Sequence, residues 1–218
     1  DCNKLLYKLC NEKYINSLIK SLSNKFYDPS CEKVFDSKTH LLGLNNGTID
    51  FKARVFRKSN AKDYITLSTG FSLDVDLERL PIKLDEINNN LMEVAPHYIT
   101  FKADLNLFIK QVLPDESIRR YVLNFLAACL SGDKNNEKLY MWYGTGSNGK
   151  STLLELMYKV LGEYACHLPY CILTKHNRTV GNNMSLQTKG KRLVIIDNID
   201  ENPINIGLLK ELVSSDKI

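Results

Sequence analysis

The clearest chemical pattern in the sequence runs from residue 144 to residue 151. Its residues, Gly-Thr-Gly-Ser-Asn-Gly-Lys-Ser, fit G-x-x-x-x-G-K-[ST] at every fixed position. Glycines let the backbone curl so that its N–H groups point at phosphate oxygens, and a helix that follows adds the positive end of its dipole. In such a loop the lysine, here Lys150, reaches the β- and γ-phosphates, and the hydroxyl after it, here Ser151, binds Mg²⁺. The pattern predicts a binding site for ATP with Mg²⁺.

The predicted nucleotide contacts are the loop and the residue after it: Gly144, Thr145, Gly146, Ser147, Asn148, Gly149, Lys150, Ser151 and Thr152. The segments on either side are of the kind that the motif needs. An apolar and aromatic run over 139–143 predicts a buried strand before the loop. The residues from Thr152 to about Leu161 predict a helix after it, which stops at Gly162.

Such an ATPase also needs an acid at the end of a neighbouring strand, on the metal side. Asp197 ends an aliphatic run over 193–196 and is predicted to take that role together with Ser151. Many such enzymes place a second acid next, but here the position holds Asn198, whose amide is a very poor base. Asp200 or Glu201 can orient the attacking water instead. A solvated charged turn is an equally open interpretation of those two residues.

A basic stretch lies near the loop in the sequence. No Asp or Glu occurs between Tyr164 and Ile196, and the basic residues of that stretch are Lys175, Arg178, Lys189, Lys191 and Arg192. They can contact the phosphates of a nucleotide or of DNA. The alternative is an exposed face that acids elsewhere balance.

The six cysteines form no C-x-x-C pair, so neither a disulfide framework nor a zinc site is predicted. Four possible metal ligands lie close together in the sequence: Cys166, His167, Cys171 and His176. Their spacing matches no zinc pattern, and reduced cysteines in an intracellular compartment are the simpler interpretation.

The composition is that of a soluble globular protein, with 44% hydrophobic and 25% charged residues in 218. A net charge of +4 permits a nucleic-acid partner without arguing for one. No apolar run is long enough for a membrane helix, so no membrane partner is expected. Periodicity predicts an amphipathic helix over 3–24, a hairpin turn over 45–48 and strands over 49–56 and 64–71. It also predicts two helices between 104 and 130 that Pro114 separates.

Several segments occur in an order that resembles superfamily 3 helicases. They are residues 130–133, 143–152, 162–164, 173–175, 190–194 and 209–218. The specific likeness is to the primase-helicases of nucleo-cytoplasmic large DNA viruses, poxvirus-type, and to related phage and plasmid primases. Residues 42–47 and 63–66 resemble the helper domain that precedes the ATPase in this family.

The resemblance implies an α/β P-loop NTPase core, AAA+-like, preceded by a smaller mixed α+β helper domain. The expected division is a helper domain and linker over 1–100, a helical segment over 101–134 and the first part of the ATPase over 135–218. The first residue is Asp1 and not Met, so we expect the chain to be a piece of a longer protein. We expect the ATPase core to be truncated at its C-terminus, because only 67 residues follow Ser151. Such a fragment is expected to bind nucleotide better than it hydrolyses it.

The activity that the resemblance implies is ATP-dependent DNA unwinding, with Lys150 and Asp197 as catalytic residues. Asn198 departs from the family, which places a glutamate at or next to that position. The implied partners are single-stranded or forked DNA, further copies of the chain in a hexameric ring, and a primase module in the same or another chain. The implied location is the host-cell cytoplasm at viral replication sites.

Two other functions fit parts of the pattern. The chain can be a nucleotide-dependent assembly or DNA-binding module in which Asn198 has impaired hydrolysis. A small-molecule P-loop kinase is the other alternative, although such kinases usually begin near their loop, and here a long segment precedes it.

Overall fold

The computed structural model describes residues 8–87, 96–132, 138–174, 187–197, 199 and 201–213. The chain divides into two compact units, Asp1–Phe35 and Asp36–Ile218. It contains helices, a four-stranded antiparallel sheet and a two-stranded parallel sheet. The prediction of a mixed α/β protein is therefore confirmed. In the described part of the chain, no helix is both long and apolar enough to span a membrane.

The first unit contains helix α1 (Glu12–Phe26) and the short helix α2 (Cys31–Val34). The helix predicted over 3–24 is interrupted: Lys8 and Leu9 are helical, and helix α1 begins anew at Glu12, where the side chain of Asn11 accepts hydrogen bonds from the N–H groups of Lys13 and Tyr14. Residues 1–7 lie outside the described residues. Such an N-cap fixes where a helix starts. The helix ends at Phe26, before Asp28-Pro29, and none of its residues is buried within the described structure.

The second unit opens with an antiparallel meander of four strands. They are β1 (Leu41–Leu44), β2 (Gly47–Asp50), β3 (Val55–Arg57) and β4 (Ile82–Lys83), which pair in that order. Asn45 and Asn46 form the tight turn between β1 and β2, which confirms the predicted hairpin. Phe56 on β3 is fully buried and centres a small core with Ile82 and Ile87.

Two strand predictions in this region are wrong. The run over 49–56 is interrupted, because the carboxylate of Asp50 accepts hydrogen bonds from the N–H groups of Lys52 and Ala53 and turns the chain. The segment over 64–71 is not a strand. It starts at Tyr64 with a left-handed φ of 55°, and single hydrogen bonds such as Thr69 N–H to Gly43 O tie it to the hairpin.

Two long helices follow, α3 (Pro96–Val112) and α4 (Glu116–Ser131). The break at Pro114 is as predicted, and Asp115 caps α4 by accepting the N–H of Ile118. Helix α4 buries Leu126 and Cys129 in the main core, which it shares with β1. Burial raises the pKa of the Cys129 thiol to about 11.

The last part of the second unit joins a helix to a parallel strand pair. Helix α5 (Lys150–Leu161) leads through a short 3₁₀ turn to β5 (Ala165–Pro169), which pairs with β6 (Leu193–Asp197). Helix α5 packs against both strands. Its buried residues and the inward side chains of the strands belong to the main core, which includes Leu153, Met157, Leu161, Leu193 and Ile195. Helix α6 (Ile206–Val213) follows β6.

The strand predicted over 139–143 is not formed in the described structure. The segment has a packed side, with Tyr140 stacked on Phe125 at 3.8 Å between ring centres and Trp142 in the main core. Its other side is open, and Tyr143 is 93% exposed. The segment packs its side chains, but no described strand hydrogen-bonds to its backbone, and a strand needs such a partner.

Candidate nucleotide-binding site

The loop over 144–149 ends where helix α5 begins. Gly149 is the N-cap residue and has a left-handed backbone, with φ 79°. A Cβ at this position would lie 2.5 Å from Cγ2 of Val112, so only glycine fits against helix α3. Gly149 has no side chain that could accept a hydrogen bond from the first N–H groups of α5, and the first turn of α5 contains no acid. The start of α5 therefore presents backbone donors and the positive end of the helix dipole without an opposing carboxylate.

The side chain of Lys150 folds back over the loop. Its Nζ donates a hydrogen bond of 2.6 Å to Oδ1 of Asn148 and lies 3.5 Å from the carbonyl oxygen of Thr145. A Cβ at Gly144 would lie 3.3 Å from the same Nζ. The structure thus brings Gly144, Thr145, Asn148 and Lys150 together around one positive charge.

The remaining loop residues are open to solvent. Gly146 and Ser147 are exposed, and a Cβ at Gly146 would meet nothing within 4 Å. Ser151 and Thr152 lie exposed in the first turn of α5. Their hydroxyls and the loop backbone are accessible to a ligand that approaches the start of the helix.

Asp197 lies at the carboxyl end of β6, as its sequence position predicts. Its Oδ2 is 3.0 Å from Nδ1 of His167 on β5, and both side chains are about half exposed. Mg²⁺ prefers oxygen ligands. The Ser151 hydroxyl and the Asp197 carboxylate supply that chemistry, and the open space beside Gly146 leaves room for the phosphates that the metal would accompany.

The structure does not bring a second acid, which would orient the attacking water, next to Asp197 within the described residues. Asn198 and Asp200 lie outside the described residues. Glu201 is exposed in the bend that follows β6, and no described contact links it to the loop. Which acid orients water therefore stays a prediction for Asp200 and Glu201.

Within the basic stretch, Arg192 has a structural role. Its guanidinium donates hydrogen bonds to the carbonyl oxygens of Leu130 and Leu41 and lies on the ring of Tyr164. Burial lowers the pKa of this guanidinium. These contacts direct it into the protein, so the interpretation of Arg192 as a phosphate contact is wrong.

The other basic residues divide between the described and undescribed parts of the chain. Nζ of Lys191 donates to the carbonyl oxygen of Glu163 at 2.6 Å, and Lys189 is exposed. Lys175 and Arg178 lie outside the described residues, so their contact with phosphate stays a prediction.

The described residues contain no cluster of three His, Cys, Asp or Glu side chains that could hold a metal ion. His176 lies outside them. Cys166 and His167 are neighbours on β5 and therefore point to opposite faces. Burial raises the pKa of the Cys166 thiol. From the sequence, His167 is only a possible metal ligand, and no local pattern pairs it with Asp197, because their contact depends on the register of β5 and β6.

The chain is similar to proteins of DNA viruses that are named as helicases or primases. The family described as D5 N terminal like matches residues 1–115. "Putative helicase L207/L206" of Acanthamoeba polyphaga mimivirus is 31% identical over 219 residues, which covers 99% of this chain and 21% of the relative.

Two further relatives come from other viruses. "Putative helicase 121R" of Invertebrate iridescent virus 3 is 26% identical over 176 residues, and the matched segment covers 80% of this chain and 17% of the relative. "Putative primase C962R" of African swine fever virus (isolate Warthog/Namibia/Wart80/1980) is 22% identical over 221 residues, and the matched segment covers 95% of this chain and 20% of the relative. The chain thus spans about a fifth of the length of these relatives.

Proposed function

Because this chain belongs to the D5 N-terminal-like family and is similar to viral proteins named "Putative helicase" and "Putative primase", we propose that it is part of a replicative DNA helicase. Residues 135–218 form the first part of a P-loop ATPase of superfamily 3, which binds ATP with Mg²⁺. Hydrolysis of ATP drives the unwinding of DNA by a ring of subunits, a hexamer.

The observation that carries the proposal is the position of Lys150. Its ammonium group is held within hydrogen-bond range of Asn148 and at 3.5 Å from the Thr145 carbonyl, at the start of a helix that lacks an opposing acid. A polyphosphate chain supplies stronger acceptors than one amide and one carbonyl oxygen. ATP would therefore take over these contacts of Lys150 while loop N–H groups bind its phosphates.

The chemistry of this site is mainly the positioning of charge. In phosphoryl transfer the protein holds the γ-phosphate in line with a water molecule and stabilises the negative charge of the transition state. Ser151 and Asp197 would hold Mg²⁺, which neutralises charge on the phosphates. Lys150 contributes a second positive charge, and Asp200 or Glu201 orients the attacking water.

The remaining partners follow from the family. Single-stranded or forked DNA is the proposed substrate of the ring, and a primase module in the same or another chain is the proposed neighbour. The proposed location is the host-cell cytoplasm at sites of viral replication.

The first experiment is nucleotide binding by the 218-residue chain, measured with a fluorescent ATP analogue in Mg²⁺. Lys150→Ala should raise the Kd about tenfold or more, because it removes a charged contact to phosphate. Lys159→Ala is the matched control. It removes the same charge from the same helix, at an exposed ion pair with Glu155, and should leave the Kd unchanged. Equal affinity of Lys150→Ala and the unaltered chain would refute the site.

The second experiment separates a motor from a binding module. ATP turnover is measured with and without single-stranded DNA on the protein in its full length, because the 218-residue chain is expected to bind nucleotide better than it hydrolyses it. Turnover that DNA stimulates and that Lys150→Ala abolishes supports the helicase. Tight binding without hydrolysis in either condition supports a nucleotide-dependent assembly or DNA-binding module instead.

A further inference from the structure

His167 and Asp197 come together because of the register of the parallel strands. His167 lies opposite Ile195, and Asp197 is two residues further along β6, so the two side chains share one face. Nδ1 of His167 and Oδ2 of Asp197 are 3.0 Å apart. Ile195 on the same face packs in the core with helix α5. The pair therefore lies on the side of the sheet that faces the helix of the nucleotide loop.

The chemistry of the two groups fixes who donates. An ionised carboxylate only accepts hydrogen bonds, so the N–H of His167 is at Nδ1 and donates a hydrogen bond to Oδ2 of Asp197. The described residues supply no partner for Oδ1 of Asp197. The imidazole thus engages one carboxylate oxygen of a side chain that is 50% exposed, and the other oxygen has no described partner.

The imidazole ring is itself held from the other side. The ring of Tyr158 meets it edge to face, with 4.6 Å between ring centres. Tyr158 belongs to α5, the helix whose first turn contains Lys150 and Ser151. One rigid helix therefore supports the phosphate loop at its start and, about two turns later, the ring that contacts Asp197.

We propose that His167 is a positioning residue for Asp197, and that it orients the carboxylate so that Oδ1 faces Mg²⁺ when nucleotide binds. This inference rests on the proposed nucleotide site. Hydrogen bonds from neighbouring groups to carboxylates that bind a metal hold them in place, and their loss lowers metal affinity. His167 acts through Asp197 and does not touch the nucleotide.

A contribution to folding alone does not account for this pair. His167 is 40% exposed and Asp197 is 50% exposed, and ion pairs between exposed groups add little to stability. Substitution of His167 should therefore leave the fold intact, and its effect should appear in the Mg²⁺ dependence of nucleotide binding.

The test measures the Kd of fluorescent ADP for the 218-residue chain in Mg²⁺ and in EDTA. The Kd in EDTA divided by the Kd in Mg²⁺ gives the contribution of Mg²⁺ to binding. His167→Ala should lower that ratio about tenfold and leave the Kd in EDTA unchanged. His167→Asn should keep the ratio of the unaltered chain, because its amide N–H lies where Nδ1 lies and can donate to Asp197.

Cys166→Ala is the matched control. Cys166 is the neighbour of His167 on β5 and packs on the opposite face, against Leu168 and Ile172. It should leave both Kd values unchanged, and circular dichroism shows that each variant is folded. A ratio for His167→Ala equal to that of the unaltered chain, or larger, would overturn the role of His167.

The same data distinguish the two failures. If the unaltered chain binds no ADP in either condition, the nucleotide site fails and the role of His167 fails with it. If the unaltered chain binds ADP and gains from Mg²⁺, and His167→Ala gains equally, only the role of His167 fails.

A second readout does not depend on nucleotide affinity. The chain contains four histidines, so their imidazole ¹⁵N resonances can be assigned by substitution. Asp197→Asn should shift the Nδ1 resonance of His167 and leave those of the other histidines in place. An unchanged His167 resonance would show that the hydrogen bond to Asp197 is not formed and would overturn the proposal.

Discussion

The guanidinium carbon of Arg192 lies 4.4 Å from the centre of the Tyr164 ring, within cation–π range. The two residues also share a backbone hydrogen bond, from the N–H of Arg192 to the carbonyl oxygen of Tyr164. The Tyr164 hydroxyl in turn accepts the N–H of Gly43 and donates to the carbonyl oxygen of Leu67, each at 2.9 Å. The contacts of Arg192 and Tyr164 together connect the antiparallel sheet, the end of α4 and the segment before β6.

Arg192→Ala should therefore destabilise the protein. It leaves the carbonyl oxygens of Leu41 and Leu130 without their charged donor, at a cost of about 2–4 kcal/mol in the free energy of unfolding. Urea denaturation followed by circular dichroism measures this. Lys189→Ala removes an exposed charge nearby in the sequence and should change the free energy of unfolding little. Equal stability of the two variants would contradict the role of Arg192.

Arg57 and Asp63 form a two-pronged ion pair that makes stability depend on pH. Nη1 and Nη2 of Arg57 lie 2.8 and 2.9 Å from the two carboxylate oxygens, and Asn60 N–H donates to Oδ2. The hydrogen bonds from Arg57 hold the pKa of Asp63 below its usual range. Because the folded state favours the ionised form, this stabilisation is fully present above the unfolded pKa of about 4. It is lost as the pH falls through the lowered folded pKa.

Asp63→Asn should thus lower the free energy of unfolding by about 2 kcal/mol at pH 7, and the difference from the unaltered chain should shrink as the pH is lowered from 5 toward 2. Denaturation curves at several pH values measure it. Asp85→Asn is the control, since Asp85 pairs with Arg54 where both side chains are at least 70% exposed. A difference for Asp63→Asn that is constant across this pH range would contradict the prediction.

Turns and helix ends were predictable from the sequence. The turn at Asn45-Asn46, the helix break at Pro114 and the helix that starts at the loop each depend on residues a few positions apart. Backbone preferences and capping act at that range, so the pattern alone identifies them. The strand predicted over 139–143 needs a partner strand, which no local pattern supplies.

The contacts of Arg192 and His167 could not be predicted for a related reason. Arg192 donates to a carbonyl 151 positions away, and His167 meets Asp197 across 30 positions. A basic residue in an acid-free stretch looks like a phosphate contact until the fold shows that its charge is directed inward. Residue type gave the candidates, and the register of β5 and β6 determined which of them meet.

Two glycines of the loop should respond differently to the same substitution. Gly149→Ala forces a side chain into a left-handed backbone and against Val112, which should cost about 2 kcal/mol of stability and weaken nucleotide binding. Gly146→Ala adds a methyl group in open space and should leave stability unchanged. Denaturation and fluorescent-nucleotide titration of both variants measure this, and unaltered binding by Gly149→Ala would show that the loop does not need its observed shape.

Substitution of the residue after Asp197 tests whether Asp200 or Glu201 supplies the acid that orients water, as proposed above, or whether Asn198 has impaired hydrolysis. Asn198 is an amide and cannot accept a proton from water, whereas a carboxylate acting as a general base accelerates such reactions by orders of magnitude. If Asn198 has impaired hydrolysis, Asn198→Glu should raise ATP turnover about tenfold or more; Asn198→Gln, which has the length of Glu without its charge, is the control. The rate is measured by phosphate release in Mg²⁺ with single-stranded DNA. If Asn198→Glu leaves the rate unchanged, the acid must be Asp200 or Glu201. In that case Asp200→Asn or Glu201→Gln should abolish turnover while nucleotide binding through Lys150 remains.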